Sequence, residues 1–103
     1  MIYPFKGPFL YDDDVVRDWN NDSIGVYYVG KKNEAGALVI FYVGRAIADG
    51  GMRARLLQHL SESKWYDATH FGYHVCSSSQ EAIDWEKEEI ARYNPKYNIV
   101  GTR

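Results

Sequence analysis

The stretch "GVYYVG" at residues 25–30 decides the fold, together with its near-copy "FYVGRA" at 41–46. Each places a tyrosine beside Val-Gly, and aromatic and β-branched residues favour strands. A turn-rich segment at 30–36, with a glycine at each end, separates the strand at 24–29 from an apolar run at 37–44. Two such strands joined by a short loop predict an antiparallel hairpin.

The second strand of this hairpin is apolar on both of its faces. Because side chains alternate across a strand, we expect Val39, Phe41 and Val43 on one face and Ile40 and Tyr42 on the other. Strands that are apolar on both faces are usually covered on both sides. We therefore predict that residues 37–44 form a central strand of the sheet.

The rest of the chain alternates between helical and strand patterns. Leu56 and Leu60 follow Met52 at helical spacing and predict a helix over 52–64. Residues 70–76 are typical of a strand. A capping box of Ser78 and Glu81 predicts the start of a helix that ends before Asn94-Pro95. A short extended tail at 96–101 follows.

These elements predict an α+β fold, a three-stranded antiparallel sheet flanked by helices in the order β-β-α-β-α. The 103 residues suit a single domain. Residues 1–23 are expected to form an N-terminal arm with a short helix after the acidic cluster at 12–14, where Asp14 or a neighbour provides the cap.

Composition narrows the classes of protein. The single cysteine, Cys76, excludes an internal disulfide and is typical of a reducing compartment, so a cytoplasmic location is expected. No apolar run approaches the roughly 18 residues of a membrane span, so no membrane partner is expected. The net charge of −2 argues against strong nucleic-acid binding by the isolated chain, since phosphate contacts dominate such affinity.

Glu86 lies among the apolar positions of the last predicted helix. It follows Ala82 by four residues and Ile83 by three, and precedes Ile90 by four, so all share a face. A carboxylate on the core side is costly unless it meets a cation, a metal ion or hydrogen-bond donors. The pattern therefore leaves two interpretations open, a structural ion pair or a functional site.

Other polar residues carry weaker signals. Arg55 and His59, at i and i+4 on the first long helix, either face one cleft together or flank it in solvent, and Arg53 competes with Arg55 for the same role. His70 and His74 share a strand face and suggest metal binding less strongly than ordinary packing. Asn98 is typical of a turn after a helix stop, and Cys76 of a small buried hydrophobe.

The ordered set of motifs resembles the GIY-YIG nuclease superfamily over roughly residues 24–100. The first family motif corresponds to Gly25-Val26-Tyr27 and the second to Tyr42-Val43-Gly44. An arginine and a later histidine on one helix correspond to Arg55 and His59. The segment "EAIDWEKEEIARYNPKYNIV", which contains Glu86 and Asn98, is especially similar to the N-terminal nuclease domain of bacterial excision-repair nucleases.

The resemblance implies a metal-dependent endonuclease that hydrolyses phosphodiester bonds in DNA. Its implied catalytic residues are Tyr27, Tyr42, Arg55, His59, Glu86 and Asn98. Glu86 would hold Mg²⁺ or Mn²⁺, and Arg55 would donate hydrogen bonds to the scissile phosphate. Tyr27 would be the general base, assisted by Tyr42 or His59, although His59 titrates nearer neutrality and is an alternative base. Asn98 would orient Tyr27 or the backbone around it.

The resemblance also bears on partners. Arg45, Arg53 and Arg55 are the expected nucleic-acid contacts, and Arg45 stands where excision-repair members carry lysine. Many family members have a separate DNA-binding domain, for which residues 1–103 leave no room. Binding to DNA is therefore expected to be weak alone, with a homodimer or a separate DNA-binding partner supplying the rest. The alternative is a non-catalytic module of this fold that binds nucleic acid or protein.

Overall fold

The computed structural model describes residues 1–98 as an α+β fold, which confirms the predicted class. The elements in chain order are β1 Lys6–Leu10, α1 Asp13–Asp18, β2 Gly25–Lys32, β3 Leu38–Ala46, α2 Gly51–Ser61, β4 His70–Val75 and α3 Ser79–Tyr93. The predicted hairpin is β2–β3, in which Tyr27 pairs with Gly44 and Tyr28 with Val43.

The sheet has four antiparallel strands in the order β1-β4-β2-β3, so the prediction of three strands was wrong. The extra strand comes from the N-terminal arm, which pairs with β4 along one edge of the sheet. This strand contains Pro8, and its register shifts between Lys6 and Phe9. Proline cannot donate to a ladder and is tolerated on edge strands, which is where the arm lies.

The prediction that residues 37–44 form a central strand was also wrong, because β3 lies at the opposite edge. The central position next to it belongs to β2, whose residues 25–30 are all buried. Phe41 and Tyr42 of β3 are only partly buried, and Val39 is exposed. Because no further described strand pairs with β3, side chains from the helices can reach this edge of the sheet, and the candidate site lies there.

A β-bulge changes the expected faces of β3. Val29 pairs with Tyr42 and Gly30 pairs with Ile40, so Phe41 is the extra residue. A bulge breaks the strict alternation of side chains. As a result Ile40 packs with Val43 in one core cluster, instead of on the face of Tyr42.

Helices cover both faces of the sheet. On one face, Val16 of α1 and Met52 and Leu56 of α2 pack against Tyr27. On the other, Ala82 of α3 belongs to the cluster of residues that contains Val26, Tyr28 and Val43. The neighbouring tyrosines of β2 therefore point to opposite faces, Tyr27 towards α2 and Tyr28 towards α3.

The ends of the helices follow the sequence signals. The side chain of Asp12, a neighbour of Asp14, caps α1. The hydroxyl of Ser78 accepts from Glu81 N at the start of α3, and α3 ends at Tyr93 as expected. Helix α2 ends at Ser61, three residues before the predicted end. Residues 96–98 form a turn instead of an extended tail, and residues 99–101 of that prediction lie outside the described residues.

Candidate active site at the edge of the sheet

A cleft of about 400 Å³ opens beside β3, where residues of α2 and α3 meet the edge strand. Its lining residues are Tyr42, Arg45, Ile47, Ala48, Arg55 and Glu86. Four of these six were predicted site residues, and they come from three different elements. The cleft exists because β3 is an edge strand, so its side chains on both faces are reachable from the same opening.

Tyr27 lies behind the cleft wall and is fully buried. Its ring lies over Gly44, its cross-strand partner: a Cβ at residue 44 would come within 2.5 Å of the Tyr27 hydroxyl and Cζ atoms. The glycine of the second Tyr-Val-Gly motif therefore makes room for the tyrosine of the first. This packing places the Tyr27 and Tyr42 rings 6.2 Å apart.

His59 joins Tyr27 under the cleft floor. The Tyr27 hydroxyl and His59 Nε2 are 2.8 Å apart, and His59 is only 4% exposed. Among the residues that the structure describes, His59 Nδ1 has no hydrogen-bond partner, and Glu62 Oε1 is 3.9 Å away. In the tautomer with a proton on Nδ1, the Nε2 atom accepts a hydrogen bond from the Tyr27 hydroxyl.

The electrostatics of the site keep both tyrosines protonated near neutral pH. Burial raises the pKa of Tyr27 well above 10, and Tyr42 raises it further, while Arg55 acts in the opposite direction. Burial and then Glu86 raise the pKa of Tyr42, and Arg55 again opposes the rise. Tyr27 is therefore a poor general base without further charge compensation, which weakens the role that the resemblance implied for it.

The pKa of His59 moves in the other direction. Burial, then the positive charges of Arg55 and Lys64, lower the pKa of His59 to about 4, while Glu62 opposes the shift. The imidazole is consequently neutral at pH 7. The contact with Glu62 is then no ion pair, since a neutral ring carries no charge to attract the carboxylate.

This lowered pKa predicts a specific loss of stability in mild acid. Below pH 6.5 the unfolded chain protonates this histidine while the folded chain does not, so acid favours unfolding until the pH reaches about 4. At about 1.4 kcal/mol per pH unit, the free energy of unfolding should fall by about 2 kcal/mol between pH 7 and pH 5 on account of His59. Urea unfolding of the wild type and of His59→Gln at both pH values measures the difference.

His70→Gln is the matched control, because His70 is partly exposed and its pKa is lowered as well by burial. In the His70→Gln variant, the free energy of unfolding should keep most of the pH dependence that His59→Gln removes. Equal pH dependence in the wild type and His59→Gln would show that His59 does not titrate below its ordinary range.

Glu86 is partly buried at the other side of the cleft. Its side chain is 15% exposed, and its Oε1 accepts from Arg45 Nη1 at 2.6 Å. Glu86 therefore forms an ion pair, as one of the two interpretations predicted, and it also lines the cleft. Arg45 is 42% exposed and can swing into solvent, so the pair does not seal the carboxylate in.

A divalent cation in this cleft would be a hydrated ion held by one carboxylate. Within residues 1–98 no group of three or more His, Cys, Asp or Glu side chains is placed to hold a metal ion. Mg²⁺ commonly keeps several waters and binds through one or two carboxylates together with substrate phosphates. Of the described residues that line the cleft, Glu86 alone carries a carboxylate, so it is the group that would hold Mg²⁺ or Mn²⁺.

Asn98 fastens the edge strand beneath the cleft. Its Oδ1 accepts from Val43 N at 2.7 Å and its Nδ2 donates to Val43 O at 2.9 Å. The backbone N–H and C=O of Val43 are thereby both hydrogen-bonded, as they would be if a further strand paired with β3. These two bonds act on the residue next to Tyr42, so Asn98 orients the second Tyr-Val-Gly strand, whereas the expectation centred on Tyr27.

Arg53 is not brought to the cleft. Its Nε and Nη2 donate to the carbonyl of Arg17 at 3.0 and 2.8 Å, which ties α2 to α1. A guanidinium held in this way supports the packing of two helices and has little freedom to contact DNA. Arg55 instead lines the cleft, with its Nη1 donating to Gln58 Oε1 at 2.8 Å.

The sequence patterns missed two residues, Trp65 beside this site and Glu89 at a different pocket. Trp65 stacks on Tyr42 at 4.4 Å between ring centroids and meets the edge of His59 at 4.7 Å, so it shields the tyrosine–histidine pair. It lies in the connection after α2, where neither helical nor strand periodicity applies. Glu89 is the second: it is 2% exposed and is more deeply buried than Glu86, but it faces a different pocket.

The two strand histidines are engaged separately. His70 Nδ1 is 2.8 Å from Thr69 Oγ1, and His74 Nδ1 donates to the carbonyl of Tyr3 at 2.7 Å. Cys76 is buried, as expected for a small apolar side chain, and burial raises the pKa of its thiol.

Comparison of the chain with protein-family models, with curated proteins and with solved structures found no match. The helices described in residues 1–98 include none with the length and apolar character needed to cross a membrane.

Proposed function

We propose that this chain is a small metal-dependent endonuclease of the GIY-YIG type, which hydrolyses phosphodiester bonds in DNA. The observation that carries the proposal is the convergence on one cleft of Tyr42, Arg55 and Glu86, with the Tyr27–His59 pair directly behind it. These residues are separated by up to 59 positions in the sequence but are brought together by the packing of α2 and α3 on β3.

Arg55 is the group that binds the scissile phosphate. Its guanidinium lines the cleft and presents several N–H donors, which match the oxygens of a phosphate. Charge that develops on the phosphoryl oxygens during hydrolysis strengthens these hydrogen bonds. Such preorganised donors stabilise a transition state more than they stabilise the bound substrate.

Glu86 would hold the cation. Arg45, which pairs with Glu86 in the structure, competes with the cation for this carboxylate. A bound Mg²⁺ or Mn²⁺ supplies charge neutralisation at the phosphate and a more acidic water. A cation at Glu86 would replace Arg45 as the partner of this carboxylate, and Arg45, which also lines the cleft, would then be available to contact the DNA backbone.

Tyr42, Tyr27 and His59 move the proton of the attacking water. Tyr42 is the tyrosine that lines the cleft, so its hydroxyl accepts this proton while passing its own to Tyr27. Tyr27 hands a proton to His59 Nε2, 2.8 Å away. Burial is the largest cause of the lowered pKa of His59 and Arg55 is the next, so a phosphate bound beside Arg55 would offset part of the shift and make His59 a stronger base.

The acidic balance of the chain suits a domain that works with help. With a net charge of −2, DNA binding by the monomer is weak, and a homodimer or a separate DNA-binding protein would hold it on its substrate. The single, buried and unpaired Cys76 supports action in the cytoplasm.

One observation favours a second function, a nucleic-acid-binding or protein-binding module on the same fold. The Arg45–Glu86 ion pair satisfies the carboxylate without a metal ion. In that case the cleft would bind phosphate through Arg55 and would not cut.

A cleavage assay separates the two functions. Purified protein is incubated with supercoiled, linear, branched and single-stranded DNA in Mg²⁺, in Mn²⁺ or in a chelator. We expect cleavage of at least one substrate with either cation and none with the chelator, because a cation held by Glu86 would neutralise charge on the phosphate. Binding of DNA without hydrolysis in any of these conditions would favour the module.

A further inference from the structure

A second pocket, of about 310 Å³, lies on the α3 face of the sheet and is lined largely by aromatic rings. Five rings contribute to it: Phe5, Tyr28, His74, Trp85 and Tyr93. Its volume is at the small end for ligand sites, which suits one small molecule or one protein side chain. The pocket does not share a lining residue with the cleft at β3.

A buried carboxylate lies in the wall of this aromatic pocket. Glu89 is 2% exposed, and its Oε1 accepts from the Tyr28 hydroxyl at 2.5 Å. The same hydroxyl accepts from Trp85 Nε1 at 3.0 Å, so the chain Trp85–Tyr28–Glu89 holds the carboxylate in one orientation. Both burial and the bond to Glu89 raise the pKa of Tyr28, which keeps the donating proton on its hydroxyl.

Within residues 1–98, the second carboxylate oxygen of Glu89 has no hydrogen-bond donor. Arg92 is the cation paired with it in the described part of the chain, but its Nε lies 3.4 Å from Oε2, beyond the 2.7–2.9 Å that is typical of a charge-assisted hydrogen bond. The Arg92 side chain is 59% exposed, so it lies at the mouth of the pocket. A buried acceptor without a donor is costly, and a ligand that supplies an N–H group removes that cost.

The position of Arg92 also indicates what kind of charge the rings accept. Its guanidinium carbon lies 5.9 Å from the ring centroids of both Trp85 and Tyr93, within the range of cation–π attraction. The aromatic walls and the carboxylate therefore both favour a cation.

We propose that this pocket binds an alkylammonium ion, with Glu89 Oε2 as the acceptor of its N–H group. A guanidinium ligand pairs best with both oxygens of a carboxylate, but Tyr28 already occupies Oε1. An ammonium ion is a compact charge that needs only one oxygen and turns its remaining surface to the rings. The ion comes either from a free amine or from a lysine side chain of a protein partner, and it displaces Arg92 from the mouth.

Calorimetric titration with n-butylammonium tests the proposal, with tetramethylammonium and butanol as comparisons. We expect butylammonium to bind and butanol, which has no charge, not to bind. Tetramethylammonium, which lacks an N–H donor, should bind more weakly. Since hydrogen bonds to charged groups are worth about 1.5–3 kcal/mol, Glu89→Gln should weaken butylammonium binding at least about tenfold.

Two further variants keep the test decisive if Glu89→Gln folds poorly. Arg92→Gln removes the internal cation and should tighten butylammonium binding several-fold. Tyr93→Leu removes an aromatic ring from a residue that is 45% exposed, and should weaken binding about threefold, as expected for a cation–π contact near the surface. Indole N–H signals in NMR spectra identify which of the three tryptophans responds, and Trp85 should be that one.

A second arm of the titration distinguishes the two sources of the ion. A short peptide with one lysine is compared with the same peptide carrying acetyl-lysine, which is neutral. Tighter binding of the lysine peptide than of butylammonium points to a protein partner, and the reverse order to a free amine. The proposal is overturned if neither cation binds to the wild type or to Arg92→Gln, or if butanol binds as well as butylammonium.

Discussion

Glu86→Gln should reduce metal-dependent DNA cleavage by about 10³-fold or more. The change keeps the shape of the side chain but removes the negative charge that would hold the cation, and the electrostatic contribution of such an ion is worth several kcal/mol. The fold should survive, because the amide oxygen of glutamine can still accept from Arg45, whose side chain is 42% exposed. Cleavage rates across a Mn²⁺ titration, with thermal unfolding in parallel, measure both effects.

Two other glutamates of α3 make this experiment specific. Glu88 is exposed, so Glu88→Gln is the matched control and should leave the rate unchanged. Glu89 is buried beside Tyr28 and does not line the cleft. Glu89→Gln should therefore alter stability and leave the cleavage rate unchanged. If Glu86→Gln cut normally and Glu89→Gln did not, the assignment of the metal ligand would be wrong.

Arg55→Ala should slow cleavage by about 10²–10³-fold, the usual loss when one donor to a developing charge is removed. DNA affinity should change far less, because losing one phosphate contact to the bound substrate lowers the slope of log affinity against log salt concentration by only about one. Single-turnover cleavage and binding in Ca²⁺ separate the two quantities. The same variant should raise the pKa of His59, since Arg55 is one of the charges that lower it.

The control for Arg55→Ala is Arg17→Ala. Arg17 is 60% exposed and pairs with Asp13 on α1, away from the cleft, and the substitution keeps the backbone carbonyl that Arg53 contacts. Arg53→Ala is unsuitable as a neutral control, because it removes the two hydrogen bonds that link α2 to α1. If the wild type cut no DNA while Arg55→Ala lost only binding, the module interpretation would replace the enzyme.

Local patterns in the sequence were sufficient to locate most elements. The strands of the hairpin, both long helices and the cap at Ser78 depend on residues within a few positions of one another, so their signals are contained in short windows. The same is true of Arg55 and His59, which the helical spacing places on neighbouring turns. Predictions of this kind need no knowledge of what packs against the element.

The arrangement of the elements could not be read in this way. An apolar strand such as β3 is compatible with either the centre or the edge of a sheet. It is an edge strand because β2 is its one neighbour among the described strands. The arm strand escaped prediction for the same reason, since its pairing with β4 joins residues 60 or more positions apart. The bulge at Phe41 likewise depends on the register with β2.

The sequence by itself therefore determined the α+β class, the hairpin and the residue types available for chemistry. Only the tertiary structure decided that Glu86 meets Arg45, that Glu89 is the more deeply buried carboxylate, and that Gly44 gives Tyr27 its place. It also decided that His59 is neutral and Tyr27 protonated, because burial and neighbouring charges set these pKa values. The physical reason is that periodicity reports which side of an element is apolar, whereas burial and charge depend on partners distant in the chain.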